Sequence, residues 1–234
     1  MKKIISVILA AALVCALAAC GGTKSDAMSY SDFKAAEVDS AVTIETYFQA
    51  AQSWWENEGV GVASIYAEDK DGAYFLYNCK CDKDLYDKLT AGTKIRVTGY
   101  KSEWAGEVEI TDGTLEIVDT KDTYVASATD VTSLLAKDNL SDYMNKYVAI
   151  KGATVAKEAL YKWDGSGSQG DDLYFDVTVD GNTYTFTVES YLCGKDTEVY
   201  KTVEGLKAGD TIDLTGFLYW YNGAQPHVTS VTVK

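Results

Sequence analysis

The sequence predicts an all-β chain with short helices, arranged as two tandem copies of one small barrel. Three observations carry that expectation. Residues 89–106 (LTAGTKIRVTGYKSEWAG) recur 117 positions later as residues 206–223 (LKAGDTIDLTGFLYWYNG), with seven of eighteen identical and no gap. Around each copy, short apolar runs alternate with Gly/Asp/Asn turn clusters, the pattern of strands joined by tight connections. Between the third and fourth runs the apolar spacing changes from period 2 toward 3.6, which marks one short helix per copy. A repeat of this length is too long for a solenoid and fits a duplicated domain.

In the first copy, residues 42–55 form an extended apolar and aromatic run, 56–59 a turn cluster, and 60–66 a second run. Asp69-Lys70-Asp71-Gly72 is a hairpin signal leading into a third run, 73–79. Asp82 can cap a helix with Leu85 and Leu89 on one face, and Gly92 ends it. Residues 94–100 alternate, with Ile95 and Val97 inward and Arg96 outward. A turn at Ala105-Gly106 leads to the last runs, 108–110 and 114–118. The second copy repeats the order: 147–163, a Gly/Ser loop at 164–172, a hairpin over 173–191, a helical stripe of Val199, Val203 and Leu206 after Asp196, then 212–221 and 228–233.

Three strands, a helix and two strands, met twice, is similar to the order of OB-fold domains. The phrase Leu-x-Ala-Gly-x-x-Ile-x-x-Thr-Gly resembles their passage from helix to fourth strand. The resemblance implies two tandem five-stranded Greek-key barrels, at 41–119 and 144–234. It places Gly99 and Gly216 where the fourth strand bends sharply. Residues 120–143 join the barrels. Leu134-Leu135 and Tyr143-Met144 predict short helical pieces there, packed on one barrel or bridging the two.

The N-terminus reads as an address. Lys2 and Lys3 precede sixteen small or apolar residues, fewer than the roughly 20 a membrane-spanning helix needs and suited to a secretory h-region. The run ends Leu17-Ala18-Ala19-Cys20-Gly21, which resembles a bacterial lipobox. That resemblance implies a signal peptide at 1–19, cleavage before Cys20, and lipid on Cys20. The protein would then sit on the outer face of the bacterial cytoplasmic membrane, with residues 20–40 as lipidated cysteine and flexible tether.

Charge and composition limit the chemistry. Asp and Glu number 35 against 21 Lys and Arg, a net charge of −14, with one Arg and one His in the chain. A single His excludes a Ser-His-Asp triad in both copies and any multi-His metal site. Nucleic-acid binders neutralise phosphates with Lys and Arg, so this balance argues against a nucleic-acid partner. Asp69-x-Asp71-Gly72 fails as a calcium loop, because Ala67 and Asn78 fall where terminal carboxylates belong. Glu107 and Glu109 share one face of a strand, as exposed glutamates commonly do, and are not read as an acid–base pair. Cys79, Cys81 and Cys193 read as buried free thiols. No catalytic residue, metal ligand or cofactor is assigned.

Aromatics are the richest signal, with 17 Tyr and 5 Trp. Trp54 and Trp55 are adjacent in an extended run, so one faces inward and the other outward. Trp104, Trp163, Tyr219, Trp220 and Tyr221 fall in the loops that OB-folds use for oligonucleotides and oligosaccharides. They are the candidate ligand-binding residues; the alternative is that they pack the barrels together. Two functions follow. The first is a non-catalytic envelope protein whose barrels contact protein or envelope components. The second is an oligosaccharide-binding surface lipoprotein, with single-stranded nucleic acid as a third and lesser alternative. The Gly/Ser loop at 164–172 is expected to be flexible and to rim any site on the second barrel.

Overall fold

Alternation along five long strands closes each half of the chain into a barrel, and the pairing order is the same in both. The structure, a computed structural model, describes residues 26–234; the predicted signal peptide, Cys20 and the start of the tether lie outside them. The elements run α1 (Tyr30–Ala35), β1 (Ala41–Ala51), β2 (Trp55–Asn57), β3 (Val60–Glu68), β4 (Ala73–Lys80), α2 (Lys83–Tyr86), β5 (Lys94–Trp104) and β6 (Glu107–Ile117). The second half continues with β7 (Thr129–Asp130), β8 (Tyr147–Tyr161), β9 (Leu173–Val179), β10 (Asn182–Val188), α3 (Glu198–Gly205), β11 (Thr211–Phe217) and β12 (His227–Val233).

In the first barrel β1 pairs antiparallel with β3 and β5, β3 with β4, and β5 with β6, while β4 and β6 close the ring in parallel. In the second, β8 pairs with β9 and β11, β9 with β10, and β11 with β12, and the parallel pair β10–β12 closes the ring. This is the connectivity of the OB-fold. Each sheet has six strands rather than the expected five, because short β2 and β7 add to the edges of β3 and β8.

The repeat recurs strand for strand in its details. Gly92 and Gly209 have φ of +90° and +97°, and donate to the carbonyls of Phe48 and Val155 at 2.8 and 2.9 Å. Gly99 and Gly216 both sit at register shifts in the fourth strand. A Cβ there would lie 2.7 Å from the Thr111 oxygen or 2.8 Å from Val228 Cα, so only Gly lets the strands approach. Ile95 and Val97 are buried inward as alternation requires, and outward Arg96 pairs with Glu45 and Asp26. Asp82 caps α2 by accepting from Leu85 N at 2.7 Å. Thr197 caps α3, accepting from the Tyr200 N–H.

The tether packs more closely than the sequence implied, and the joining segment packs on a barrel as expected. Part of the expected tether is helix α1: Ser29 caps it, and Phe33 is buried against Tyr74 at a ring separation of 5.1 Å. Buried Lys101 donates to the carbonyls of Lys34 and Ala36, holding the helix C-terminus on barrel one. Burying one Phe is worth roughly 1.5–3 kcal/mol, enough to outweigh a six-residue helix's poor intrinsic stability. The joining segment carries β7 and two 3₁₀ turns, and Val131, Leu135 and Leu140 enter the core of barrel two.

The barrels share a third apolar cluster of Tyr66, Phe75 and Phe217, with Tyr66 stacked on Phe217 at 4.3 Å. Around it, carboxylates of barrel one accept from barrel two. Glu68 takes the Tyr147 N–H at 2.8 Å, and Glu107 takes the Trp220 N–H at 2.8 Å and the Asn145 side-chain amide at 2.6 Å. Glu107 and Glu109 are therefore buried, not on the exposed face expected of them. Burial raises Glu107 to about 8 and Glu68 and Glu109 to about 7. Cys79, Cys81 and Cys193 are free and buried. Among the described residues no helix is long and apolar enough to cross a membrane.

Candidate ligand-binding cleft

The outward face of the second and third strands is where an OB barrel presents its binding surface. The two barrels use that face differently. In barrel one, Tyr66 and Glu68 of β3 and Phe75 of β4 are buried against barrel two. In barrel two, the matching outward residues of β9, Tyr174 and Asp176, remain half-buried. A cleft of about 560 Å³ opens over this second face, between the barrels.

Each wall has a local cause. Lys162 adopts a left-handed φ of +59° just past β8 and pairs its N–H with the Asp172 carbonyl at 2.8 Å, which turns Trp163 outward at the loop base. Ala105 and Gly106 both have positive φ, and this two-residue turn carries Trp104 at the tip of the β5–β6 hairpin. After β11 the chain leaves the ladder at Phe217, and Tyr219 lodges between the edge of Phe75 (5.4 Å) and the face of His227 (4.4 Å). Tyr221 and Tyr77 complete the aromatic lining.

Of the five residues proposed from sequence, four line this cleft: Trp104, Trp163, Tyr219 and Tyr221. Trp104 and Trp163 are 63% and 77% exposed. Trp220 does not join them. Alternation turns it the other way, where it packs on the core of barrel two beside Gly106 of barrel one. Trp54 and Trp55 divide as expected into half-buried and exposed, although Trp54 covers the barrel end and donates to the Cys81 carbonyl instead of filling the interior. Phe75, Tyr77 and Tyr174 also line the cleft, and sequence reasoning missed them. Tyr174 and Tyr77 carry a readable signal, as outward Tyr residues on second and third strands.

The polar lining is acidic and amide-like: Gln52, Asp172, Glu189 and Gln225, with Thr187 and His227. Glu189 closes the turn after β10, accepting the Leu192 N–H at 2.7 Å, and burial together with the Asp172 charge raises it to about 7. Asp172 accepts both the N–H and the hydroxyl of Ser190, at 2.8 and 2.7 Å. His227 shares a 2.9 Å hydrogen bond with buried Tyr66, and burial lowers it to about 3, so it is neutral. The 164–172 loop is tied down rather than loose: Gln169 donates to Glu204 at 2.8 Å and Gly170 N to Tyr200 Oη at 2.9 Å. No cluster of three metal-ligating side chains occurs among the described residues.

A scan against protein-family models finds no match, and neither does a search of curated proteins. Solved structures do match. The p204 HINb domain shares 11% identity over 85% of this chain and all of that one, with a TM-score of 0.38. A murine DNA-binding protein bound with double-stranded DNA shares 12% identity over 82% of this chain and 94% of that one, with a TM-score of 0.37. A replication protein A heterotrimer bound to single-stranded DNA shares 14% identity over 83% of this chain and 49% of that one, with a TM-score of 0.34. Two of these three proteins are bound to DNA, in contrast to the expectation drawn from charge for this chain. Net charge is a whole-chain quantity, and a base can stack on a local aromatic surface whatever the sign of the remainder.

Proposed function

We propose that the chain is a lipid-anchored binding module of the bacterial cell envelope whose inter-barrel cleft holds an oligosaccharide. The anchor follows from Leu17 to Cys20, and the ligand class from the cleft. One observation carries the ligand reading: Trp104 and Trp163, from different barrels, are mostly exposed and converge with Tyr174, Tyr219 and Tyr221 on one groove. Exposed indoles lining one cleft mark a binding surface rather than a packing one. Sugar rings present apolar C–H faces to such rings, and their hydroxyls meet the carboxylates and amides of the lining.

A glycan and cell-wall-polymer array on the full chain, in a non-ionic, non-glycosidic detergent, tests this. Binding should weaken at least about tenfold in Trp104→Ala and Trp163→Ala with unchanged melting temperature, a loss of about 1.4 kcal/mol or more. A single-stranded DNA stacked on the same rings is the second reading, supported by the stacking surface they would share. Parallel titration at low and high salt separates them, because phosphate binding falls steeply with salt and neutral sugar binding does not. The anchor is tested by fractionating cells that carry Cys20→Ala; release from the membrane pool is the expected result.

A further inference from the structure

We propose that the end of the cleft formed by Asp172, Glu189 and Thr187 takes an ammonium group, so that the saccharide is one bearing free amines. This deepens the oligosaccharide reading and rests on it. Two carboxylates stand close together here, joined through Ser190, which follows Glu189 in the chain and donates twice to Asp172. No Lys or Arg lines the cleft, so neither carboxylate has a cation facing it from the cleft walls. Each negative charge makes the other less favourable, and a bound cation removes that penalty.

A second and independent observation lies beside them. Thr187 is 2% exposed, lines the same cleft, and its hydroxyl has no hydrogen-bond partner among the described residues. A buried hydroxyl without a partner costs about 1–3 kcal/mol. It is an unmet hydrogen bond in the wall at this end of the cleft.

The surrounding rings complete the case. Tyr174 borders both carboxylates, Trp163, Tyr219 and Tyr221 line the same cleft, and aromatic faces attract a cation within about 6 Å of their centroids. A groove of rings with two acids and no base suits a protonated amine on a sugar better than an acetamido group, which has no charge to offer.

The test uses two probes that differ only at this group: the β-1,4-linked N-acetylglucosamine tetramer and its fully de-N-acetylated counterpart. The full chain in the same detergent is titrated with each by calorimetry and tryptophan fluorescence, at neutral pH, where Glu189 can carry its charge, and at low and high salt. The free-amine tetramer is expected to bind about tenfold more tightly at low salt. That margin is expected to shrink at high salt and to vanish in Asp172→Asn and in Glu189→Gln. Asparagine and glutamine keep an oxygen acceptor for the Ser190 and Leu192 donors, and melting curves check that each variant is folded. Equal affinity for the two tetramers, or a margin that survives high salt and both substitutions, overturns the inference. If the two bind equally and Trp163→Ala abolishes both, the ammonium idea fails while the saccharide reading stands. If no saccharide binds at all, the reading itself fails and this inference with it.

Discussion

The N–H of Asn222 donates to the carbonyl of Ala105 across 2.7 Å, and these two residues occupy the same position in the two copies, 117 apart. Both have a left-handed φ, +54° and +51°, and both open the turn between the fourth and fifth strands of their barrel. The duplicated hairpin tips therefore meet each other, and Trp104 and Tyr221, the preceding residues of each copy, line one cleft.

Gly106→Ala should disturb this meeting. Gly106 has a φ of +88°, and a Cβ there would lie 2.9 Å from Trp220 Cδ1. The expected cost is about 1–3 kcal/mol, a fall in melting temperature of roughly 3–8 °C. Gly181→Ala is the control, with a φ of +80° and open space around it, and should cost less. Equal losses would mean that the tip contact contributes nothing.

Stability should fall as pH rises from 5 to 9. Glu107 at about 8 and Glu68, Glu109 and Glu189 at about 7 are all raised above the ordinary 4.5 by burial. The folded state binds protons more tightly than the unfolded one, so the stabilisation is complete below about pH 4.5 and is lost as pH rises through 7 to 8. A tenfold difference in proton affinity between folded and unfolded states corresponds to about 1.4 kcal/mol, which makes a loss of a few kcal/mol across that range the expected scale. Glu107→Gln should flatten the alkaline part of the slope. Chemical denaturation at stepped pH measures both.

Tyr66→Phe removes the partner of His227 from a fully buried site. Tyr66 is stacked on Phe217 and touches Phe75, so the ring contacts persist and only the hydrogen bond goes. A loss of about 1–2 kcal/mol is expected in the denaturant midpoint with an unchanged slope. A change below about 0.3 kcal/mol would show that the imidazole finds another partner.

Deleting residues 165–170 should leave the barrels folded and weaken ligand binding. The deletion removes Gln169 from Glu204 and Gly170 from Tyr200, and with them the supports that hold the loop after Trp163. Long surface connections contribute little to stability. Unchanged binding would leave the loop as an inert insertion.

Much of the architecture was legible because it is local or periodic. Ile95 and Val97 alternate with Arg96, and the paired glycines at 99 and 216 mark the bend of the fourth strand in both copies. What could not be read depends on the partner barrel. Glu107 and Glu109 look like ordinary strand-surface residues until the backbone of barrel two arrives to meet Glu107. Trp220 and Tyr221 are neighbours of similar kind, and only the path of the chain after Phe217 decides which one reaches the cleft. Phe33 lies in a six-residue helix with too few turns to show a period. Tyr174 was legible in principle, as an outward tyrosine on a strand that OB barrels use for binding.

The use of the first barrel's strand face as a contact surface has a consequence for valency. A chain of two like barrels would ordinarily carry two equivalent sites, yet here Tyr66, Phe75 and Glu68 are covered while the face around Tyr174 is open. Each molecule should then titrate with a stoichiometry of one. Under the proposed anchoring, strong attachment to a polymeric ligand would come from many chains engaging one strand at once, with their spacing setting the effective concentration.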